Sequence, residues 1–430
     1  LVNLKESLGE ALNRPIDSAF LAAFRSAFGV LMFIGAYRYW AKGWIDSILI
    51  APAFHFHYEF FGWVAPLRGV GMYVVFLAMA CSALGMAFGS WRRIASGVFF
   101  LIFTYVELCE KAAYLNHYYL VSLLALLLAF MPEGTARVPR FVLLALRLQI
   151  GLVYFFAGVA KISTDWLIHA QPLKIWLRAN SDFPLFGSLL EAPGVAHAAA
   201  WLSMLLDLTA PLWLSLRSTR RFAYLAILGF HSATACFFPI GIFPWLMVLA
   251  ATVFFEPGWP RRVPGLARFF SQPIDPQPRA GLCPVGAFAL AAYFCLQLLL
   301  PLRHLRYPGS ANWTDEGFRF AWRVMLIDKV GSVHFRLKLP GSGQRVSVEP
   351  KAFLTPFQER MMAQSPDMIV ELAQHVAADY QRRFGQFPAV YADAWAAMNG
   401  RPSERLLDPN VDLTTLDPAG FTPFPILSAH

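Results

Sequence analysis

Residues 141–162 read FVLLALRLQIGLVYFFAGVAKI, an apolar run interrupted by just two charges, Arg147 and Lys161. A hydrocarbon core of ~30 Å needs about 20 residues at 1.5 Å each, so a run of this length folds as a membrane helix. A lysine at that depth costs about 3 kcal/mol or more unless it reaches water, finds a partner or sheds its proton. Snorkelling to the headgroups is the structural alternative for such a residue. An uncharged lysine facing a closed pocket is instead a strong base, which makes Lys161 the first candidate for chemistry.

Eight further apolar segments lie at residues 19–39, 70–88, 94–108, 118–131, 195–216, 222–238, 242–255 and 286–301. The chain is 57% hydrophobic and 15% charged, whereas soluble domains carry about 25% charged residues. The expected fold is an all-α polytopic membrane bundle of nine transmembrane helices over residues 1–301. A small α+β extracytoplasmic domain is expected to follow over residues 302–430. The net charge of +9 sorts by loop. Lys5 and Arg14, Arg92 and Arg93, Arg137 and Arg140, Arg217, Arg220 and Arg221, and Arg261, Arg262, Arg268 and Arg279 fall on one side. The positive-inside rule then puts the N-terminus in the cytoplasm and the C-terminus outside. Charge so arranged signals topology and contact with membrane lipids, not a nucleic-acid partner. The N-terminal stretch is polar and amphipathic, so the first span is expected to act as its own insertion signal.

None of the five cysteines forms a CxxC pair and none lies beyond residue 295, so the outer domain is expected to hold no disulfide. Within it, Val333, Phe335, Leu337 and Leu339 alternate with His334, Arg336 and Lys338 ahead of a PGSG turn, which predicts a β-hairpin. Ser365, Pro366 and Asp367 open an amphipathic helix to about Phe384. A shorter helical piece is expected over residues 390–398, ending at Asn399 and Gly400.

Tyr154, Gly158 and Lys161 fall at i, i+4 and i+7, on one helical face, with Asp165 and Trp166 a turn beyond. A gap at Gly158 flanked by phenol, amine and indole suits a flat aromatic ligand. Asn116 and His117 sit in YLNHYYL at the same predicted depth. They are candidates either to hold the lysine neutral and relay its proton or to cap a helix start. Tyr119 of that motif joins the cofactor-facing set. His231 lies near the centre of its apolar segment, where a histidine is a site candidate or a satisfied structural hydrogen bond. No metal is expected: His55 and His57 have metal-like spacing without a nearby cysteine in sequence. The depths of His117 and His231 do not suit a shared haem.

Six stretches in order resemble the vitamin K-dependent γ-glutamyl carboxylase family, in a short bacterial-type form related to the HTTM domain. They are YLNHYYLVSLLALLLAFM, RLQIGLVYFFAGVAKISTDW, FHSATACFFPIGIFPWLM, SANWTDEGFRFAWRVM, YADAWAAMN and LLDPNVDL. The resemblance implies an integral membrane enzyme that oxygenates a reduced naphthoquinone (vitamin K hydroquinone) with O2 to its 2,3-epoxide. The strong base formed on the way removes a γ-proton from glutamate, and CO2 traps the carbanion. It implies Lys161 as the base, Asn116 and His117 in support, and His231 near the same cavity. Trp313, Trp322 and His334 are candidates for the mouth that takes a glutamate-containing peptide or protein. A bacterial inner membrane is the expected location. Two departures stand out: the family's bridging cysteine pair is absent, and Ser347 replaces a tyrosine of the hairpin region. Two other readings are carried forward, a quinol epoxidase without carboxylation and a non-enzymatic quinone- or lipid-binding membrane protein.

Overall fold

The computed structural model describes residues 9–184, 186–270, 281–417 and 424–427. Lys5, Arg279 and the side chain of Arg268, which contribute to the charge sorting above, lie outside the described residues. All the apolar segments are helical: α1 (Ala19–Ala41), α2 (Val70–Phe88), α3 (Arg92–Leu108), α4 (Asn116–Phe130), α5 (Arg140–Ala160), α6 (Val195–Ser215), α7 (Arg220–Phe237), α8 (Phe243–Ala251) and α9 (Pro284–Leu299). Among the described residues five are long and apolar enough to cross a membrane: α1, α2, α5, α6, and α9 with its extension to Arg306. The chain is thus a membrane protein with fewer length-qualified spans than the nine expected. Physically, α3 carries Arg92, Arg93 and Glu107 in 17 residues, α7 carries Arg220, Arg221 and His231 in 18, and α4 and α8 are apolar but short.

Helix α5 is the hub, with 72% of its apolar window enclosed, against 11% for α9 at the periphery. Small residues let the helices close up. A Cβ on Gly29 would stand 2.5 Å from the Ala83 carbonyl of α2, and one on Gly158 2.6 Å from the Leu208 backbone nitrogen of α6. The buried arginines are explained by helix ends. Arg25 donates to the Leu128, Met131 and Pro132 carbonyls past α4. Arg147 donates to those of Val253, Phe254 and Phe255 past α8. Each guanidinium meets carbonyls at a helix end, where intrahelical partners run out. A short ribbon, β1 (Pro15–Asp17) against β2 (Arg137–Pro139), ties the starts of α1 and α5 together.

The C-terminal domain is a four-stranded antiparallel sheet packed on one helix. The hairpin forms as expected, β3 (Lys329–Lys338) with β4 (Arg345–Val348), pairing Lys338 opposite Arg345. So does α10 (Pro366–Phe384), which starts on Pro366 and stops at Gly385 with φ 71°. Ser365 precedes it but turns its hydroxyl to Asp315. Residues 390–398 correct the sequence reading. They form not a helix but strand β5 (Ala389–Met398), between β3 and β6 (Glu404–Arg405). Alanine-rich composition suggested helix, yet Val390, Ala392, Ala394, Ala396 and Met398 alternate as buried positions. The small side chains let β5 lie flush under Ile369, Leu372, Ala373 and Val376 of α10. Asn399, at φ 56°, is therefore a turn residue after a strand.

Polar contacts seat this domain on the bundle. Lys111, just before α4, pairs with Asp367 at 3.0 Å and Glu371 at 2.8 Å. Gln358 donates to Glu110 and to the Phe54 carbonyl. His55 meets Glu110 and His57 meets Glu371, each at 3.1 Å, so carboxylates distant in sequence partner both histidines. Asp165, beyond α5, is bound by Asn399 and Arg401.

Candidate active site

Lys161 caps the C-terminal end of α5, where its backbone N–H donates to the Gly158 carbonyl and that of Ile162 to the Val159 carbonyl. Its side chain is 5% exposed, and Nζ lies 2.6 Å from Oδ2 of Asp207 on α6. Gly158 makes that pairing possible. The α5–α6 crossing has no space for a Cβ there, and Leu208, the residue it meets, is the neighbour of Asp207. Nζ also lies 5.4 Å from the centre of the Trp166 ring, which is fixed by its N–H to the Ala200 carbonyl. The pair carries no net charge, which is how a lysine and an aspartate both tolerate burial among apolar side chains.

The pair stands in the wall of a cavity of about 500 Å³ lined mainly by apolar side chains of α5, α6 and α7. Its polar focus is small: Lys161, Asp207, Tyr154, His231, Ser203 and Thr234. The Tyr154 hydroxyl lies 3.2 Å from His231 Nε2. His231 is 2% exposed, and its Nδ1 has no partner among the described residues. An apolar chamber with a few convergent polar groups and one unmet ring nitrogen is the form of a small-molecule site. Leu202 of α6, 67% exposed, and the exposed Ala226 and Ala233 of α7 also line it, so the chamber reaches the exposed surface between those helices.

A second cavity of about 270 Å³ adjoins it, bearing Arg38, Glu107, Asn116 and His117. Ile240, Phe243, Val324 and Met325 line both and form the partition. The Phe243 ring centre is 5.4 Å from that of His117 and 5.8 Å from that of His231. Val324 and Met325 arrive on a segment where Phe320, Trp322 and Met325 all have positive φ, an uncommon state for bulky residues. Contacts with the bundle hold it. Asn116 donates to the Arg323 carbonyl at 3.0 Å, and the Tyr114 hydroxyl accepts from the Phe320 N–H.

Residues 13–259 match the HTTM domain, and residues 284–428 match the lumenal domain of vitamin K-dependent gamma-carboxylase. The chain belongs to the vitamin K-dependent gamma-carboxylase family. Membership suggests a carboxylase-like membrane enzyme and implies vitamin K hydroquinone, O2 and CO2 as its reactants, with glutamate-containing substrates. No solved structure matches the chain.

The geometry of this gamma-carboxylase relative rearranges the sequence-based candidates. Lys161, Tyr154, Trp166 and His231 converge on one cavity. Asn116 and His117 do not face the lysine; they stand behind the partition. The amine is not alone either, because Asp207 replaces them as its partner. Gly158 opens no gap, since the backbone of α6 fills the space beside it. Tyr119 is a strut, its ring stacked 5.0 Å from Trp322 and its hydroxyl accepting from Gln297. Trp322 is 1% exposed in that stack, and Trp313 lies in the core of the C-terminal domain, bonded to the Leu427 carbonyl. Neither stands at a mouth. His334 is exposed on the sheet face away from α10, opposite Asp393. Asp207 was missed, although the rule that singled out Lys161 points to it: a lone carboxylate inside the apolar run of residues 195–216.

Proposed function

We propose that the larger cavity takes a reduced naphthoquinone and that Lys161, in the uncharged form of the pair (amine beside the Asp207 carboxylic acid), accepts a hydroxyl proton from it, leaving ammonium and quinolate. The observation that carries this reading is the buried 2.6 Å amine–carboxylate pair in the wall of an apolar chamber. A volume of about 500 Å³ suits a bicyclic ring, within the roughly 300–1,000 Å³ of small-molecule sites. His231 Nδ1 supports the fit, as a buried ring nitrogen that a ligand hydroxyl or carbonyl could satisfy. The Trp166 and Phe243 rings offer flat walls. The window by Leu202 gives a lipid-soluble molecule a path from the bilayer.

The bound naphthoquinol supplies the oxygenation chemistry that turns a weak base into a strong one. The chain's own groups do the rest. Asp207 orients Nζ and stabilises the ammonium that proton transfer leaves. The apolar wall keeps water from quenching the strong base. In the second cavity the Arg38 guanidinium suits the carboxylate of a glutamyl side chain. His117 and Asn116 stand beside it in support, a partition's width from the larger chamber. On this reading the C-terminal domain faces outside, where a peptide acceptor approaches. The test is to incubate the purified protein aerobically with naphthoquinol, a glutamyl peptide and labelled CO2. Epoxide together with labelled peptide is expected. Epoxide without label reduces the reading to an epoxidase, and unchanged quinol makes the protein a binder.

A further inference from the structure

Arg25 and Arg38 are thirteen residues apart on α1, about 20 Å at 1.5 Å per residue. Arg38 borders the second cavity, so Arg25 lies toward the other end of the bundle. There a polar cavity of about 280 Å³ lies between the start of α1, the α2–α3 turn at Gly89 and Ser90, and the segment after α4. Arg25, Arg92 and Arg261 line it, and Glu133 is the one carboxylate among its described lining residues. Glu133 accepts the Arg93 backbone N–H through Oε2, and Arg261 is paired with Asp17 at 3.0 Å. Arg92 donates to the Gly89 carbonyl and to the Ser26 hydroxyl.

Two buried polar atoms in this cavity are unmet. Arg25 is 2% exposed and directs its terminal nitrogens to the carbonyls past α4, but its Nε–H has no partner among the described residues. The buried Oγ1 of Thr135 likewise has none. A buried donor left unsatisfied is costly, so such atoms in a cationic cavity mark a place for an anionic acceptor.

We propose that this cavity binds a phosphate-bearing anion, which in the membrane is the phosphodiester headgroup of an acidic lipid. Guanidinium groups fit tetrahedral phosphate oxygens, and basic pockets between membrane helices at one bilayer face take such headgroups. The apolar surface of α1 and α2 beside the cavity gives the acyl chains a place to lie. The site shares no residue with the Lys161 chamber, so it stands whether or not the quinol reading holds.

The test uses the full chain in neutral detergent, with thermal unfolding read against added phosphatidylglycerol, phosphatidylcholine or inorganic phosphate. Phosphatidylglycerol is expected to raise the midpoint saturably and phosphatidylcholine is not. Arg92→Gln and Thr135→Val should each weaken the apparent affinity about tenfold, the loss of roughly one charge-assisted hydrogen bond. Arg25→Gln is avoided, because it would also uncap α4. Inorganic phosphate that reproduces the shift and competes with the lipid would make free anion the occupant. Equal shifts with both lipids and none with phosphate would overturn the proposal. So would a phosphatidylglycerol effect unchanged in both variants.

Discussion

Lys161 and Asp207 are buried as a unit, and that governs what substitutions there do. Lys161→Met removes the proposed proton acceptor and leaves the buried Asp207 carboxyl unpaired. Epoxide formation should fall by about 10²–10⁴-fold, and the protein should lose roughly 3–5 kcal/mol of stability. A melting curve recorded beside the turnover assay separates the two effects. Gly158 acts one step back from the chemistry. In Gly158→Ala the new methyl meets the Leu208 backbone, and the α5–α6 crossing must widen. We expect a destabilisation of about 1–3 kcal/mol together with reduced turnover, and the Tm and rate of the variant check both. Lys161 was legible in the sequence because charge inside an apolar run stands out. Its partner was equally visible by that rule. Which charge faces which was not, since the pairing joins residues 46 apart through a helix crossing that no local pattern encodes.

At the scale of elements, the seat of the C-terminal domain turns on Asp367. Burial alone would push its carboxyl up, but Arg319 and Lys111 outweigh that and hold it well below the usual carboxylate range. A depressed carboxylate gives stability that is fully present above the unfolded-state value, about pH 3.9, and is lost as pH falls through the folded one. The domain should therefore stay seated at neutral and mildly acidic pH and loosen only below about pH 4. In Asp367→Asn it should loosen at neutral pH by about 3 kcal/mol. Hydrogen exchange of α10 against pH reads both outcomes. Hairpin and helix boundaries in this domain followed from turn residues and alternation. Strand β5 did not, because its alanines carry a helical propensity that the sheet overrides. The period-two burial shows only once β3 and α10 lie on either side of it.

Across the whole molecule, two cavities sit back to back, and the Phe243 partition keeps them distinct. One reaches the apolar flank through Leu202 and the other carries Arg38, which in the proposed function gives a lipid-soluble reactant and a charged acceptor separate routes. Phe243→Ala should merge the chambers and admit water. Epoxide formation should persist, while labelled CO2 incorporated per epoxide falls several-fold. An unchanged ratio would show that the partition has no part in coupling. The membrane class and the small sheet region at the C-terminus were readable from apolar run lengths and from the alternation that follows them. The partition was not, because half of it, Val324 and Met325, comes from a distant C-terminal segment whose positive-φ residues fold back against α4.

The amine–carboxylate pair can be tested by replacing both members at once. Lys161→Met with Asp207→Leu leaves no unpaired charge, so the protein should insert, melt near wild type and still bind naphthoquinone. Its epoxide yield from naphthoquinol under air is the deciding number. The pair's assigned role predicts a yield at the level of the protein-free control, and wild-type epoxide from that folded double variant would contradict it.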